Sequence, residues 1–301
     1  MKRIILIKPS DNPITSHVYE HLVMNQFKQQ ARQAGLLDQI DYFKLGTNYP
    51  NHGIITLEFD LYTDKAAEIE SKIKSLQAPT DESSYQLAMQ QIMAESNMTI
   101  GCDNVNDLHQ AIEWLNQTPW QSIADLEQPM ILNAGQEDAI LYQSSENNLK
   151  LSQPSYCLEH PAVEERGLEP IFHYLATAIH TTAANIIDYQ LAYYNLGDSY
   201  QNTTDKWSSI NEFSVLEHIE NDVQAKQIYA EVIESMKKSE NLDRIAWRLQ
   251  SFHYSTGQMD TPNIDYIIDD TGVLIGEKTW QKLATPDNIT KMLSQISLTS
   301  N

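Results

Sequence analysis

The chain has 301 residues, 41% hydrophobic and 20% charged, which is enough for one large core or two modest ones and excludes a disordered, collagenous or coiled-coil protein. The 41 acidic side chains against 20 basic ones give a formal charge of −21, which repels phosphate backbones and anionic bilayers, so neither nucleic acid nor a membrane is an expected partner. Cys102 and Cys157 are the only cysteines and sit in no CxxC or Cys/His cluster, which excludes a disulfide framework and a thiolate metal site.

Residues 3–8 (RIILIK) read as a short buried strand. The apolar run within it is far shorter than a signal-peptide core, and no later stretch is long enough to span a bilayer, so the cytoplasm is the expected compartment. Residues 9–12 turn the chain. Asn12 is then a fitting N-cap, with Pro13 at the first helical position, for a helix of about six turns that Gly35 stops. Strands are expected at 39–45 and 53–62. Helices should follow at 64–76, from Ser83 through Glu95, and at 107–116, before strands at 130–132 and 139–142.

The second half replays that order. Pro170-Ile171 opens a helix as Pro13-Ile14 does, and 188–197 (DYQLAYYNLG) matches 38–46 (DQIDYFKLG). Glu212-Phe213-Ser214-Val215 likewise matches Glu58-Phe59-Asp60-Leu61, and Thr285-Pro286 stands where Thr118-Pro119 stood. The expected organisation is an α+β fold of two related α/β domains, 1–150 and 151–301. The connection is read at 145–168, where Pro154, Pro161 and Gly167 interrupt polar sequence.

Chemistry concentrates in the first long helix, where His17-Val18-Tyr19-Glu20-His21 forms H-x-x-E-H, the inverse of the zincin H-E-x-x-H. Two histidines four apart share a helical face, separated by a rise of roughly 6 Å, so both imidazoles reach one metal. Glu20 is beside His21 and one turn from His17, placed to act as base on water at that metal without ligating it. The same face continues through Met24, Phe27 and Ala31, and polar groups set into so apolar a helix need a compensating partner. A zinc ion held by two histidines needs a third protein ligand if one position is to stay open for water. Glu95, on the helix that begins near Ser83, is the preferred third ligand, and Glu82 competes with it.

These residues resemble the pitrilysin and insulin-degrading enzyme family of inverzincin metallopeptidases. The likeness rests on H-x-x-E-H in the first long helix, followed by two strands, a helix and a distant ligand glutamate. The resemblance implies zinc as cofactor, His17, His21 and Glu95 as its ligands, and Glu20 as the catalytic base of a zinc-dependent endopeptidase or oligopeptidase. It also implies two homologous domains, each a mostly antiparallel sheet packed with helices, of which only the first keeps the motif. In the repeat, His17, Glu20 and His21 fall opposite Tyr174, Thr177 and Ala178. The chain is shorter than a usual family half, so the resemblance implies a homodimer, or pairing with a related subunit, around a peptide or unfolded polypeptide.

Two positions depart from the family. Ala88 stands where a second glutamate usually supports the metal, and Ile186 stands where an arginine usually contacts substrate, although Leu191-Ala192-Tyr193 matches the adjoining pattern. Tyr193 is thereby a candidate substrate-binding residue for oxyanion stabilisation, with a plain strand role as the alternative. The rival to an active peptidase is a catalytically inactive scaffold or peptide-binding protein; an amidohydrolase acting on other amides is a third reading. His160 with Glu164 and Glu165, and His173 with His180, are read as structural or surface residues, since His173 and His180 lie two helical turns apart and cannot share a metal without a bend.

Overall fold

The computed structural model describes residues 2–10, 12–34, 40–48, 54–61, 66–96, 105–123, 139–140, 154–161, 168–202, 206–216, 221–250, 273–274 and 277–300. Contacts gather the chain into two units, Met1–Glu127 and Gln128–Asn301.

In the first unit, β1 (Lys2–Pro9) is followed by α1 (Pro13–Gln33), β2 (Ile40–Asn48), β3 (Ile54–Leu61), α2 (Ala66–Lys74), α3 (Glu82–Ser96), α4 (Val105–Gln117) and β4 (Gln121–Ile123). The four strands form one antiparallel sheet in the order β2-β3-β1-β4, with Leu6 opposite Leu57 and Ser122. The start of α1 is fixed locally. Asn12 is extended, its Oδ1 accepts the Thr15 N–H at 3.0 Å, and Pro13 fills the position where no N–H is needed. Val18, Tyr19, Leu22, Val23, Phe27 and Ala31 of α1 are buried with Leu6, Ile55 and Leu57 of the sheet, Ala88 and Ile92 of α3, and Leu108, Ile112 and Leu115 of α4. Each large apolar side chain in such a core contributes on the order of 2 kcal/mol.

Lys8 lies inside this core. Its Nζ donates to Tyr19 Oη and to the Leu115 carbonyl, both at 2.6 Å, and sits 4.8 Å and 4.7 Å from the ring centroids of Tyr19 and Trp120. Burial lowers its pKa to about 8. The ammonium thus ties β1 to the second turn of α1 and to the last turn of α4, whose free carbonyl ends favour a cation.

The second unit holds β5 (Ala139–Ile140), β6 (Ser155–Pro161), α5 (Glu169–Leu191), β7 (Tyr193–Asn202), β8 (Lys206–Val215), α6 (Asp222–Met236), α7 (Ser239–Gln250), β9 (Val273–Leu274), α8 (Glu277–Leu283), α9 (Pro286–Leu293) and β10 (Ser297–Ser300). Its four-stranded antiparallel sheet runs β10-β6-β8-β7, and β5 pairs with β9. In both units the first sheet strand is internal, the long helix follows it, the next two strands form a hairpin on one side, and the last strand adds on the other side.

The structure corrects the reading of 145–168 as a connection. Residues 155–161 are β6, paired on both sides, with Tyr156, Leu158 and His160 buried in alternation. Pro154 and Pro161 only bracket this strand; Pro161 closes it at an exposed position. The Thr-Pro correspondence also fails. Thr118-Pro119 ends α4 and leads directly into β4, whereas Thr285 caps α9, its hydroxyl accepting the Asn288 N–H at 3.4 Å. Strand β4 was not anticipated. Gly35, Cys102, the strand expected at 130–132 and the pair Glu164 and Glu165 lie outside the described residues.

Candidate metal centre

Helices α1 and α3 meet antiparallel: His17 reaches Glu95 near the end of α3, while His21 and Asn25, one and two turns on, reach Gln91. His17 Nε2 and Glu95 Oε2 are 2.9 Å apart, His21 Nε2 and His17 Nε2 3.2 Å, and His21 Nε2 and Glu95 Oε2 3.6 Å. These are the metal-ligating side chains that converge on one point among the described residues. A tetrahedral zinc ion with bonds of about 2.0–2.1 Å keeps its ligand atoms roughly 3.4 Å apart, a spacing that the three separations bracket.

The electrostatics point the same way. Two imidazole nitrogens facing each other at hydrogen-bond distance, with a carboxylate oxygen completing a triangle, form a set that a cation satisfies fully and a proton only in part. Glu95 lies in the last turn of α3, where the helix dipole disfavours an anion, and that turn carries no basic residue. His21 is buried, while the His17 and Glu95 side chains are 28% and 32% accessible, so the trio faces solvent from one side. Its hydrogen bond to Glu95 is the largest influence raising the His17 pKa, with the charge of Glu20 adding to it against desolvation. Glu20 is half-buried on α1, and its charge is one of the influences that raise the His17 pKa.

The remaining residues singled out in the sequence lie elsewhere. Glu82 opens α3, at the opposite end from Glu95, is exposed and accepts from Gln86 Nε2 at 3.2 Å. Ala88 is fully buried in the core of the first unit. Tyr193, at the start of β7, is buried, and its hydroxyl accepts the Asn221 N–H at 3.1 Å.

In the second unit His160 stacks on Phe172 with ring centroids 3.6 Å apart. Its Nδ1 donates to the Pro161 carbonyl at 2.9 Å, and its Nε2 accepts from Tyr200 Oη at 3.2 Å. His180 donates from Nε2 to the Ser209 carbonyl at 3.0 Å and accepts from Tyr229 Oη at Nδ1, 2.9 Å away. Burial lowers both pKa values to about 4. His173 packs its ring 4.4 Å from Tyr200. All three are core histidines.

Sequence reasoning missed Gln91 and Asn25. Gln91 is buried, its Oε1 lies 3.3 Å from His21 Nδ1 and accepts from Asn25 Nδ2 at 2.8 Å, and its Nε2 donates back to Asn25 Oδ1 at 3.2 Å. The available signal was spacing. Asn25 follows His21 by one helical turn, and Gln91 precedes Glu95 by one, so each extends a ligand-bearing face.

Together these features make a His-His-Glu group whose donor atoms are close enough to hold one metal ion, carried on two antiparallel helices beside an antiparallel sheet. No family model and no curated protein matches the chain. Among solved structures it is similar to an insulinase family protease predicted from Yersinia pestis, at 11% identity and a TM-score of 0.28, over 98% of this chain and 86% of that one. It is also similar to the periplasmic protease PqqL from Escherichia coli, at 9% identity and a TM-score of 0.27, over 99% of this chain and 47% of that one. Likenesses this slight do not establish a shared fold, so the functional reading rests on the site. No helix among the described residues is long and apolar enough to cross a membrane.

Proposed function

We propose that this protein is a zinc-dependent peptidase of pitrilysin type, with His17, His21 and Glu95 holding the ion and Glu20 as catalytic base. The observation that carries this reading is the convergence of His17 Nε2, His21 Nε2 and Glu95 Oε2 within 3.6 Å of one another, on the helix face that also bears Glu20. Bound there, zinc supplies Lewis acidity and lowers the pKa of water at an open position. Glu20 takes the proton from the attacking water and delivers it to the departing amine. His21, buried and held from behind, fixes the inner edge of the site, while the more accessible His17 and Glu95 border the side from which a peptide enters.

The shared strand order of the two sheets supports reading the units as a duplicated pair of domains, the first equipped and the second not. Their long helices align from Pro13 and Pro170, which sets Tyr174, Thr177 and Ala178 opposite His17, Glu20 and His21.

A binding protein without turnover is the second reading, favoured by Ala88, which gives the site no second carboxylate from α3. Zinc content and cleavage of a mixed peptide library, for wild type and Glu20→Gln, separate the two. Zinc in both proteins with cuts by wild type alone supports the peptidase; zinc in both and cuts by neither supports the binding protein. Cuts that persist unchanged in Glu20→Gln refute the assignment of Glu20.

A further inference from the structure

We infer that Gln91 and Asn25 form a neutral positioning pair that orients His21 and sets the metal affinity of the site. The inference rests on the metal-site reading above.

Its basis is a chain of hydrogen bonds with one consistent sense. The two amides bind each other reciprocally, Asn25 Nδ2 to Gln91 Oε1 at 2.8 Å and Gln91 Nε2 to Asn25 Oδ1 at 3.2 Å. This pairing leaves the second lone pair of Gln91 Oε1 aimed at His21 Nδ1, 3.3 Å away. An oxygen there calls for a proton on Nδ1, and a neutral imidazole with its proton on Nδ1 presents a lone pair at Nε2. Nε2 is the atom that faces His17 Nε2 and Glu95 Oε2.

Position gives the pair its strength. Gln91 is 3% accessible, so its amide has little water to fall back on, and Asn25 is the partner that holds its orientation. Both side chains come from the helices that carry the ligands, one turn beyond His21 on α1 and one turn before Glu95 on α3. The pair therefore also clamps the spacing of the two helices at the site. It does so without adding a negative charge.

The test is zinc affinity of the apoprotein, measured by competition with a chromophoric chelator, for wild type, Gln91→Met, Gln91→Glu and Asn25→Ala, with apoprotein thermal unfolding run in parallel. Gln91→Met keeps length and removes the acceptor, and is expected to raise the zinc Kd by about 10–100-fold. Gln91→Glu restores an acceptor for Nδ1–H and is expected to return the Kd to within about threefold of wild type. Asn25→Ala frees the Gln91 amide to rotate and is expected to raise the Kd by about 3–10-fold; it carries the test if Gln91→Met does not fold. Long-range proton–nitrogen spectra of the zinc-loaded wild type should show His21 protonated at Nδ1. Equal affinity of wild type and Gln91→Met, or a Gln91→Glu protein as weak as Gln91→Met, overturns the positioning role. Absence of zinc binding by wild type refutes the metal-site reading instead.

Discussion

Glu95→Ala separates a ligand from a surface ion pair. In the absence of metal, Glu95 contributes a contact to His17 between side chains about one-third accessible, an interaction worth roughly 0.2–1 kcal/mol. The apoprotein variant should therefore unfold within about 4 °C of wild type. With metal the difference becomes large. Zinc at 100 times its Kd stabilises the site by about 2.7 kcal/mol, and for a unit spanning Met1–Glu127 this corresponds to a rise in Tm of about 10 °C. Losing one of three ligands weakens binding by at least about 100-fold, which at the same zinc concentration leaves about 0.4 kcal/mol, or a shift of about 1 °C. Differential scanning fluorimetry with and without zinc, on metal-stripped protein, reads all four values. A zinc-induced shift equal in Glu95→Ala and wild type would refute the three-ligand site, as would a variant that unfolds far below wild type without metal.

Tyr19→Phe removes one of the two hydrogen-bond acceptors of the buried Lys8 ammonium and should cost about 2 kcal/mol in urea unfolding while leaving the zinc Kd unchanged. Asn12→Ala removes the cap on the Thr15 N–H and should cost about 1 kcal/mol by the same measurement. His160 and His180 have folded pKa values lowered to about 4, so between pH 6.5 and 4 the unfolded chain binds more protons and stability falls as pH falls. At pH 5 this amounts to about 2 kcal/mol per histidine relative to neutral pH. Their ring-proton resonances should stay unshifted down to pH 5, and titration of either ring near pH 6.5 would contradict the burial argument.

What the sequence made legible was local. Asn12, Pro13 and the H-x-x-E-H spacing act within a few residues, so the start of α1 and the shared face of His17 and His21 follow from helix geometry alone. The hairpin of β2 and β3 and the helix bearing Glu95 were legible for the same reason. The choice between Glu95 and Glu82 was not, because it depends on which end of α3 meets α1, and that is set by packing of Ala88 and Ile92 against the α1 core. Gln91 and Asn25 were hidden in the same way: each is an unremarkable amide on its own helix, and only the antiparallel approach makes them a pair. Strand β6 was misread because proline marks strand ends as well as linkers.

The contrast between α1 and α5 shows what the site costs the fold. Both are long helices opened at a proline and packed on a four-stranded sheet. From its second residue α5 buries Pro170, Ile171, Phe172, His173, Tyr174, Leu175 and Ala176 without a break, so the stretch opposite His17 does packing work. In α1 the corresponding stretch gives up part of that burial: Ile14 stays 47% accessible, and His17 and Glu20 remain half-buried. The back of α1 compensates through Val18, Tyr19, Leu22 and Val23, each fully buried, and through the Lys8 tie to Tyr19. Packing on one side of α1 and the Gln91–Asn25 pair toward α3 support the His17, His21 and Glu95 trio from two directions. A site preorganised in this way loses little freedom when it takes up a cation, so binding should stabilise the first unit without remodelling it.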